Sequence, residues 1–196
     1  MADSNAPDHP SLAEPTLVTD LRAALKEGDL PKVQSLIAAG ADIRYKTPEG
    51  YDALLDAAHG RDSLRNPQLL DLLALLVAHG VDLAGVTTYG ESALRSFSCR
   101  GRFDAIRFLL DAGANKRVLK WTPLMAAVAL GSLADVQAAL AQGAALEEQD
   151  MWERTAWLIA LLTGDIAKAQ LLREWGANPE ARGRCGSPPL FYAIQG

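Results

Sequence analysis

The sequence contains few of the residues that metal sites, disulfide frameworks and nucleic-acid surfaces require. Its 196 residues include two cysteines and three histidines, and 24 acidic against 19 basic side chains give a net charge of −5. Cys99 and Cys185 lie far apart and belong to no CxxC or Cys/His cluster, so we expect neither a zinc cage nor a disulfide. The acidic balance argues against nucleic acid or an anionic membrane surface as partner. We therefore expect no metal, no cofactor and a reducing, cytoplasmic location.

Long apolar runs are also absent. The richest segment, residues 69–78, contains Asp71 and is shorter than the roughly 18–20 residues that a membrane-spanning helix needs. Residues 1–15 are polar and proline-containing and do not resemble a secretory signal, so we expect a flexible tail there. With 49% hydrophobic and 22% charged residues, the chain as a whole has the composition of a soluble globular protein.

A glycine followed by a small residue recurs along the chain at intervals of about 33 residues. The five instances are Gly40-Ala41-Asp42, Gly80-Val81-Asp82, Gly113-Ala114-Asn115, Gly143-Ala144-Ala145 and Gly176-Ala177-Asn178. Such a period predicts a repeat protein in which each unit buries its apolar side against the next unit.

Each unit is predicted to contain two helices. Apolar residues at spacings of three and four, such as Ile106, Leu109 and Leu110, lie on one helical face, and the glycine that follows favours a helix end. Upstream, Thr122 and Pro123 supply an N-cap and a first helical residue. The sequence therefore predicts an all-α chain of helix-turn-helix units.

The segment Trp121-Thr122-Pro123-Leu124-Met125-Ala126-Ala127, followed by Gly131, Val136, Leu140 and Gly143-Ala144, resembles the ankyrin-repeat family. The resemblance extends from about Thr16 to Gly196 and implies a solenoid with short hairpin-like fingers between units. The predicted domain covers 16–196, with repeats at approximately 16–44, 45–84, 85–117, 118–147, 148–180 and a partial sixth at 181–196.

Several units depart from the family pattern. Met125 stands where a histidine is usual, alanine replaces the usual proline at three positions, and the Asp-x-x-Gly fingertip is incomplete throughout. We expect the seven extra residues 61–67 to form a projecting loop and the shortened fourth finger to lack a regular hairpin. The sixth repeat is expected to leave Leu190 and Ile194 exposed on a single helix, 189–195.

The resemblance implies protein binding, without catalysis, through fingers and first helices on a concave face. Aromatic and charged residues near the turns between units are the candidates: Tyr45, Tyr51, Tyr89, Lys116, Arg117, Trp121, Glu148, Trp152 and Arg154. Tyrosine and tryptophan provide contact area at low entropic cost. Two alternatives stay open: the aromatic rings pack onto neighbouring helices, or charges of opposite sign bridge adjacent fingers. Trp157 and Trp175 are assigned to packing.

Three functions are compatible with these features. The first is a monomeric interaction module that acts as an inhibitor, antitoxin, immunity-type protein or scaffold. The second is the substrate-recruiting region of a longer enzyme that continues beyond Gly196. The third is a thiol redox sensor at Cys99, whose pKa the neighbouring Arg100 would lower; the favoured alternative is a buried or unreactive cysteine. His79 is expected to contact the carbonyl groups at its helix end.

Overall fold

The computed structural model describes residues 13–61 and 63–195, with side chains from Thr16 onward. It contains the helices α1 Ala13–Glu27, α2 Leu30–Ala38, α3 Ala53–Ala58, α4 Leu69–Ala78, α5 Ala93–Cys99, α6 Phe103–Asp111, α7 Pro123–Leu130, α8 Leu133–Ala141, α9 Ala156–Thr163, α10 Ile166–Glu174 and α11 Pro189–Ala193. No strand occurs within these ranges, so the predicted all-α class is confirmed. Most of the predicted tail lies outside the described residues, and α1 begins at Ala13, ahead of the predicted boundary.

Most helices start at a side chain that accepts a hydrogen bond from the first helical turn. Thr122 accepts one from the Met125 N–H, which confirms the predicted Thr-Pro start of α7. Ser132 and Asp135 form a reciprocal capping box at the start of α8. These contacts satisfy backbone N–H groups that have no partner within the helix, and they fix where each repeat begins.

The first compact unit, Met1–Asp82, contains the first two repeats. Helix α1 packs against α2 and α3. A fully buried carboxylate, Asp56, joins these elements: it accepts hydrogen bonds from Arg22 Nε and Tyr45 Oη, both at 2.7 Å, and lies 3.3 Å from Lys26 Nζ. The charge of Asp56 is therefore balanced by cations from α1.

The inserted segment 61–67 does not project as predicted. The Arg61 N–H donates to the Lys26 carbonyl oxygen at 3.0 Å, Ser63 is buried, and Asn66 Nδ2 donates to the Gly28 carbonyl oxygen at 3.3 Å. The turn between α1 and α2 offers backbone acceptors that the polar insertion satisfies, so both ends of the loop lie against the first repeat.

The second compact unit, Leu83–Gly196, contains the remaining repeats. Helix α7 packs against α8 and α9, and α9 packs against α10 and α11. Their shared core includes Leu124, Val128, Val136, Leu158 and Leu172, all with no exposed surface. The apolar faces of α7 and α8 are covered by the adjacent pair α9 and α10, as the repeat pattern predicted.

One contact departs from strict neighbour-to-neighbour packing. The end of α5, in the third repeat, meets the fifth repeat: Arg154 Nη1 donates to the Ser98 carbonyl oxygen at 2.8 Å, and the Leu162 side chain lies against Gly101. A buried arginine has five donors to satisfy, and the free carbonyl groups at a helix end provide acceptors.

Candidate partner-binding surface

The second and third fingers are four-residue turns with a common hydrogen-bond pattern. In the third repeat, the Thr87 N–H donates to the Glu91 oxygen at 2.8 Å, the Gly90 N–H donates to the Thr87 oxygen at 2.9 Å, and Thr87 Oγ1 accepts from the Glu91 N–H at 3.0 Å. Thr47 organises the second finger in the same way. Threonine thus replaces the aspartate of the family fingertip, and a search for Thr-x-x-Gly would have found both turns.

The fifth finger uses an aspartate. Asp150 Oδ1 accepts from the Trp152 and Arg154 N–H groups at 2.8 and 3.0 Å, and the Asp150 N–H donates to the Arg154 oxygen at 3.0 Å. Glu153 takes the glycine position with a φ of 58°, a conformation that favours glycine.

The fourth finger lacks the hairpin, as predicted. A 3₁₀ turn, Lys116–Leu119, replaces it, and Asn115 caps this turn by accepting from the Arg117 N–H at 3.0 Å. Lys116 and Arg117 are exposed.

Arg95 of α5 links the third finger to the fourth. Its Nε donates to the Val118 oxygen at 2.9 Å, and its Nη1 donates to the Gly90 oxygen. Tyr89, next to Gly90, is 78% exposed. We call the group Tyr89, Lys116 and Arg117 the linked-finger surface; it presents one aromatic ring and two cations.

Trp152 lies on the fifth finger beside the sixth. The Arg184 guanidinium carbon lies 5.4 Å from the centre of the Trp152 ring, and the Arg184 N–H donates to the Trp152 oxygen at 3.0 Å. The ring is half-buried, while Glu148 nearby in sequence is exposed. Part of the Trp152 side chain therefore lies at the protein surface.

The comparisons with known proteins agree with this geometry. The family model for ankyrin repeats (3 copies) matches residues 21–119 and 63–150. The chain belongs to the ankyrin-repeat family. Ankyrin repeats imply interaction with protein partners.

Three curated relatives and one solved structure illustrate the similarity. The chain is 35% identical over 91 residues to ankyrin repeat and SOCS box protein 2 of Bos taurus, covering 46% of this chain and 13% of that protein. It is 26% identical to the human mitochondrial disaggregase, in a match that covers 90% of this chain and 24% of that protein. It is 34% identical to human ankyrin repeat domain-containing protein 63, in a match that covers 47% of this chain and 27% of that protein. This chain therefore spans about a quarter or less of the length of these relatives.

The solved structure is a complex of a predatory endopeptidase from Bdellovibrio bacteriovorus with an immunity protein. The match has a TM-score of 0.52 and 24% identity and covers 90% of this chain and 91% of that one. It is a likeness of fold.

Two of the nine predicted site residues of this ankyrin-repeat chain are buried, and the structure therefore contradicts their assignment to a binding surface. Tyr45 is 8% exposed because its hydroxyl group donates to the buried carboxylate of Asp56. Arg154 is 1% exposed because Asp150 and Ser98 satisfy its guanidinium group. The ion-pair partner of Arg154, Asp150, belongs to the same finger.

The other aromatic candidates are intermediate. Trp121 is half-buried against Phe103, with ring centres 6.1 Å apart, and Tyr51 is half-buried with an edge contact to His59 at 5.8 Å. Trp157 is buried, as predicted. Trp175 is 50% exposed, so its assignment to packing is wrong; it is the residue that caps the C-terminal end of α10.

The other predicted sites have simple structural explanations. Cys99 is exposed at the protein surface, yet partial desolvation of its thiol raises the pKa, although Arg154 and Arg100 oppose this shift, so the predicted lowering of that pKa is wrong. His79 Nδ1 lies 2.9 Å from the Leu75 oxygen, as predicted. Within the part of the chain that is described, no group of three or more potential ligands could hold a metal ion, and no helix is both long and apolar enough to cross a membrane.

Proposed function

We propose that this chain is a non-catalytic interaction module that binds a protein partner through its fingers and adjoining first helices. The observation that carries the proposal is the exposure of Tyr89 on a finger that Arg95 fixes to its neighbour. An exposed aromatic ring on a rigid turn contributes contact area without a large ordering cost on binding.

Charge supports the same surface. Lys116 and Arg117 are exposed on the fourth finger, which Arg95 joins to the finger that carries Tyr89, and Glu148 and Trp152 belong to the fifth finger. Complementary charge mainly sets the association rate and orientation of a complex, whereas a central aromatic anchor mainly sets its lifetime. We therefore expect an acidic patch on the partner opposite Lys116 and Arg117.

Affinity capture from the native cell extract tests this proposal. Wild-type protein and the variants Tyr89→Ala and Leu64→Ala are compared as baits, because Leu64 is 52% exposed and lies outside the fingers. Tyr89→Ala should weaken binding of the captured partner by more than about 1 kcal/mol, or about fivefold, and Leu64→Ala should leave it unchanged. Equal affinity for all three baits would reject this location of the site.

Among specific roles, we propose inhibition of a protein target, as an antitoxin or immunity-type protein, by a monomer in the cytoplasm. The support is the net charge of −5, which favours encounter with a basic target. Addition of purified chain to the captured partner should suppress that partner's activity. Undiminished activity at saturating chain would indicate a scaffold.

A second candidate is the substrate-recruiting region of a longer enzyme. The support is the match to the mitochondrial disaggregase, which covers 90% of this chain but 24% of that protein. The reading frame beyond Gly196 decides between the two: a catalytic domain would support recruitment, and an immediate stop codon would exclude a domain on that side.

A further inference from the structure

The fifth repeat carries an apolar cleft outside the fingers. The cleft has a volume of about 390 Å³ and lies among α9, α10 and the end of α11. Its apolar wall is formed by Trp157, Leu161, Ile166, Ala169 and Ala193. Ile166 is 72% exposed and Leu161 is half-buried, so part of this wall is in contact with water.

The repeat period identifies the same surface one unit earlier, where it is covered. About 33 residues before Trp157, Leu161 and Arg173 stand Leu124, Val128 and Leu140, which are 0%, 0% and 3% exposed. Helix α10 packs beside α8 and joins this fourth-repeat core through Ala169 and Leu172. The cleft is therefore the fifth-repeat counterpart of a surface that, in the fourth repeat, is covered by a helix.

A lysine fixes α10 on that surface. Lys168 is 8% exposed, and its Nζ donates to the Val128 and Gly131 carbonyl oxygens, at 3.0 and 2.8 Å, at the end of α7. The corresponding carbonyl groups in the fifth repeat are those of Leu161 and Gly164, at the end of α9; both residues line the cleft. Carbonyl groups at a helix end attract cations.

We propose that the cleft binds an amphipathic helix of a protein partner, whose lysine reaches the end of α9 as Lys168 reaches the end of α7. Residues 1–12 contain no lysine, so this segment does not match the required chemistry. The partner helix packs its apolar side on Leu161 and Ala169, whose fourth-repeat counterparts Val128 and Val136 are fully buried.

One polar group adds to the specificity. Arg173 is exposed and stands where the fourth repeat has the apolar residue Leu140. The partner helix therefore carries a carboxylate opposite Arg173, at a position where α10 has no acidic side chain opposite Leu140. This surface is separate from the linked-finger surface.

The test uses a synthetic peptide with the sequence of residues 164–177, cross-linked into a helix, because this segment is the one that covers the equivalent surface. Titration into ¹⁵N-labelled full chain should give saturable amide shifts at Trp157, Leu161, Gly164, Ala169 and Ala193. The Lys168→Ala version of the peptide should bind about tenfold more weakly, as expected for loss of a charged hydrogen bond.

Two variants of the protein provide the matched comparison. Ala193→Trp places a ring in the cleft and should abolish binding, whereas Gln195→Trp, on the same exposed end of the chain, should not. The Tyr89→Ala protein should bind the peptide normally, so failure here is distinct from failure of the finger proposal.

Three outcomes would overturn the proposal: no saturable binding up to millimolar peptide, shifts outside the cleft, or equal binding to the Ala193→Trp protein. Sedimentation of the free chain tests the other possible occupant of the cleft, a second copy of this chain. A dimer that Ala193→Trp dissociates would assign the cleft to a second copy instead of a partner helix.

Discussion

Arg154 and Asp150 form an ion pair that is sealed from solvent. Arg154 Nη2 lies 2.6 Å from Asp150 Oδ2, and the two side chains are 1% and 0% exposed. The same guanidinium group donates to the carbonyl and hydroxyl oxygens of Ser98. One side chain thus connects the fifth finger with the end of α5.

Arg154→Ala should destabilise the second unit by about 3–5 kcal/mol, because removal of one partner leaves the Asp150 charge buried without compensation. Urea unfolding followed by tryptophan fluorescence measures this, since all four tryptophans lie in that unit. Arg117→Ala is the control, because Arg117 is exposed; it should change stability by less than about 0.5 kcal/mol. Similar costs for the two variants would contradict the role of the pair.

Tyr45→Phe should destabilise the first unit by about 1–3 kcal/mol, because it removes a hydroxyl donor from the buried carboxylate of Asp56. Burial and the nearby Asp56 carboxylate also raise the pKa of Tyr45, so its hydroxyl group stays protonated and able to donate. Far-ultraviolet circular dichroism during urea titration gives the change. The same substitution at exposed Tyr89 should have no effect, and an equal loss there would reject the distinction.

The capping box of α8 should make stability depend on acid pH. Hydrogen bonds from the Ser132 side chain and backbone lower the pKa of the Asp135 carboxyl group below its ordinary value of 3.8. A lowered folded pKa means that the stabilisation is present above the unfolded pKa and is lost as the pH falls through the folded one. The difference in unfolding free energy between wild type and Asp135→Asn should therefore shrink below about pH 4. A constant difference from pH 6 to pH 2.5 would contradict this linkage.

Cys99 should react slowly with iodoacetamide. Although Cys99 is exposed, partial desolvation raises the pKa of its thiol group, so less of the reactive thiolate is present at neutral pH. Alkylation of the Cys185→Ser protein, followed by mass spectrometry, should be slower in the native state than in urea. Faster native alkylation would restore the redox-sensor hypothesis.

Shortening a side chain on the exposed side of α11 should change the free energy of unfolding little. Leu190 is 70% exposed, so Leu190→Ala should cost less than about 0.5 kcal/mol, whereas Leu172→Ala, at a fully buried site, should cost about 2–5 kcal/mol. Guanidinium unfolding of both variants provides the comparison. A large loss at Leu190 would mean that this face is covered in solution.

The periodic features of the fold could be predicted from the sequence. The recurrent glycines placed the helix pairs, and Thr122-Pro123 located the start of α7, because these are local backbone requirements. The exposure of Leu190 and Ile194 followed from the position of α11 in the last repeat.

The orientation of individual side chains could not be predicted in the same way. Tyr45 and Tyr89 both lie near turns, yet Tyr45 is buried on Asp56 and Tyr89 faces solvent. The difference depends on the Asp56 carboxylate of α3, which the folded second repeat brings within 2.7 Å of the Tyr45 hydroxyl group. Likewise, the insertion at 61–67 contacts the first repeat through backbone groups that no residue pattern reveals.

The bond between Ser98 and Arg154 also bears on how the second unit comes apart. In a chain of modules that each touch only the next one, ends can fray stepwise and the unfolding transition broadens. Here the third repeat cannot detach without exposing the Arg154 guanidinium group in the fifth. Hydrogen exchange in these two distant segments should consequently report a single shared opening event.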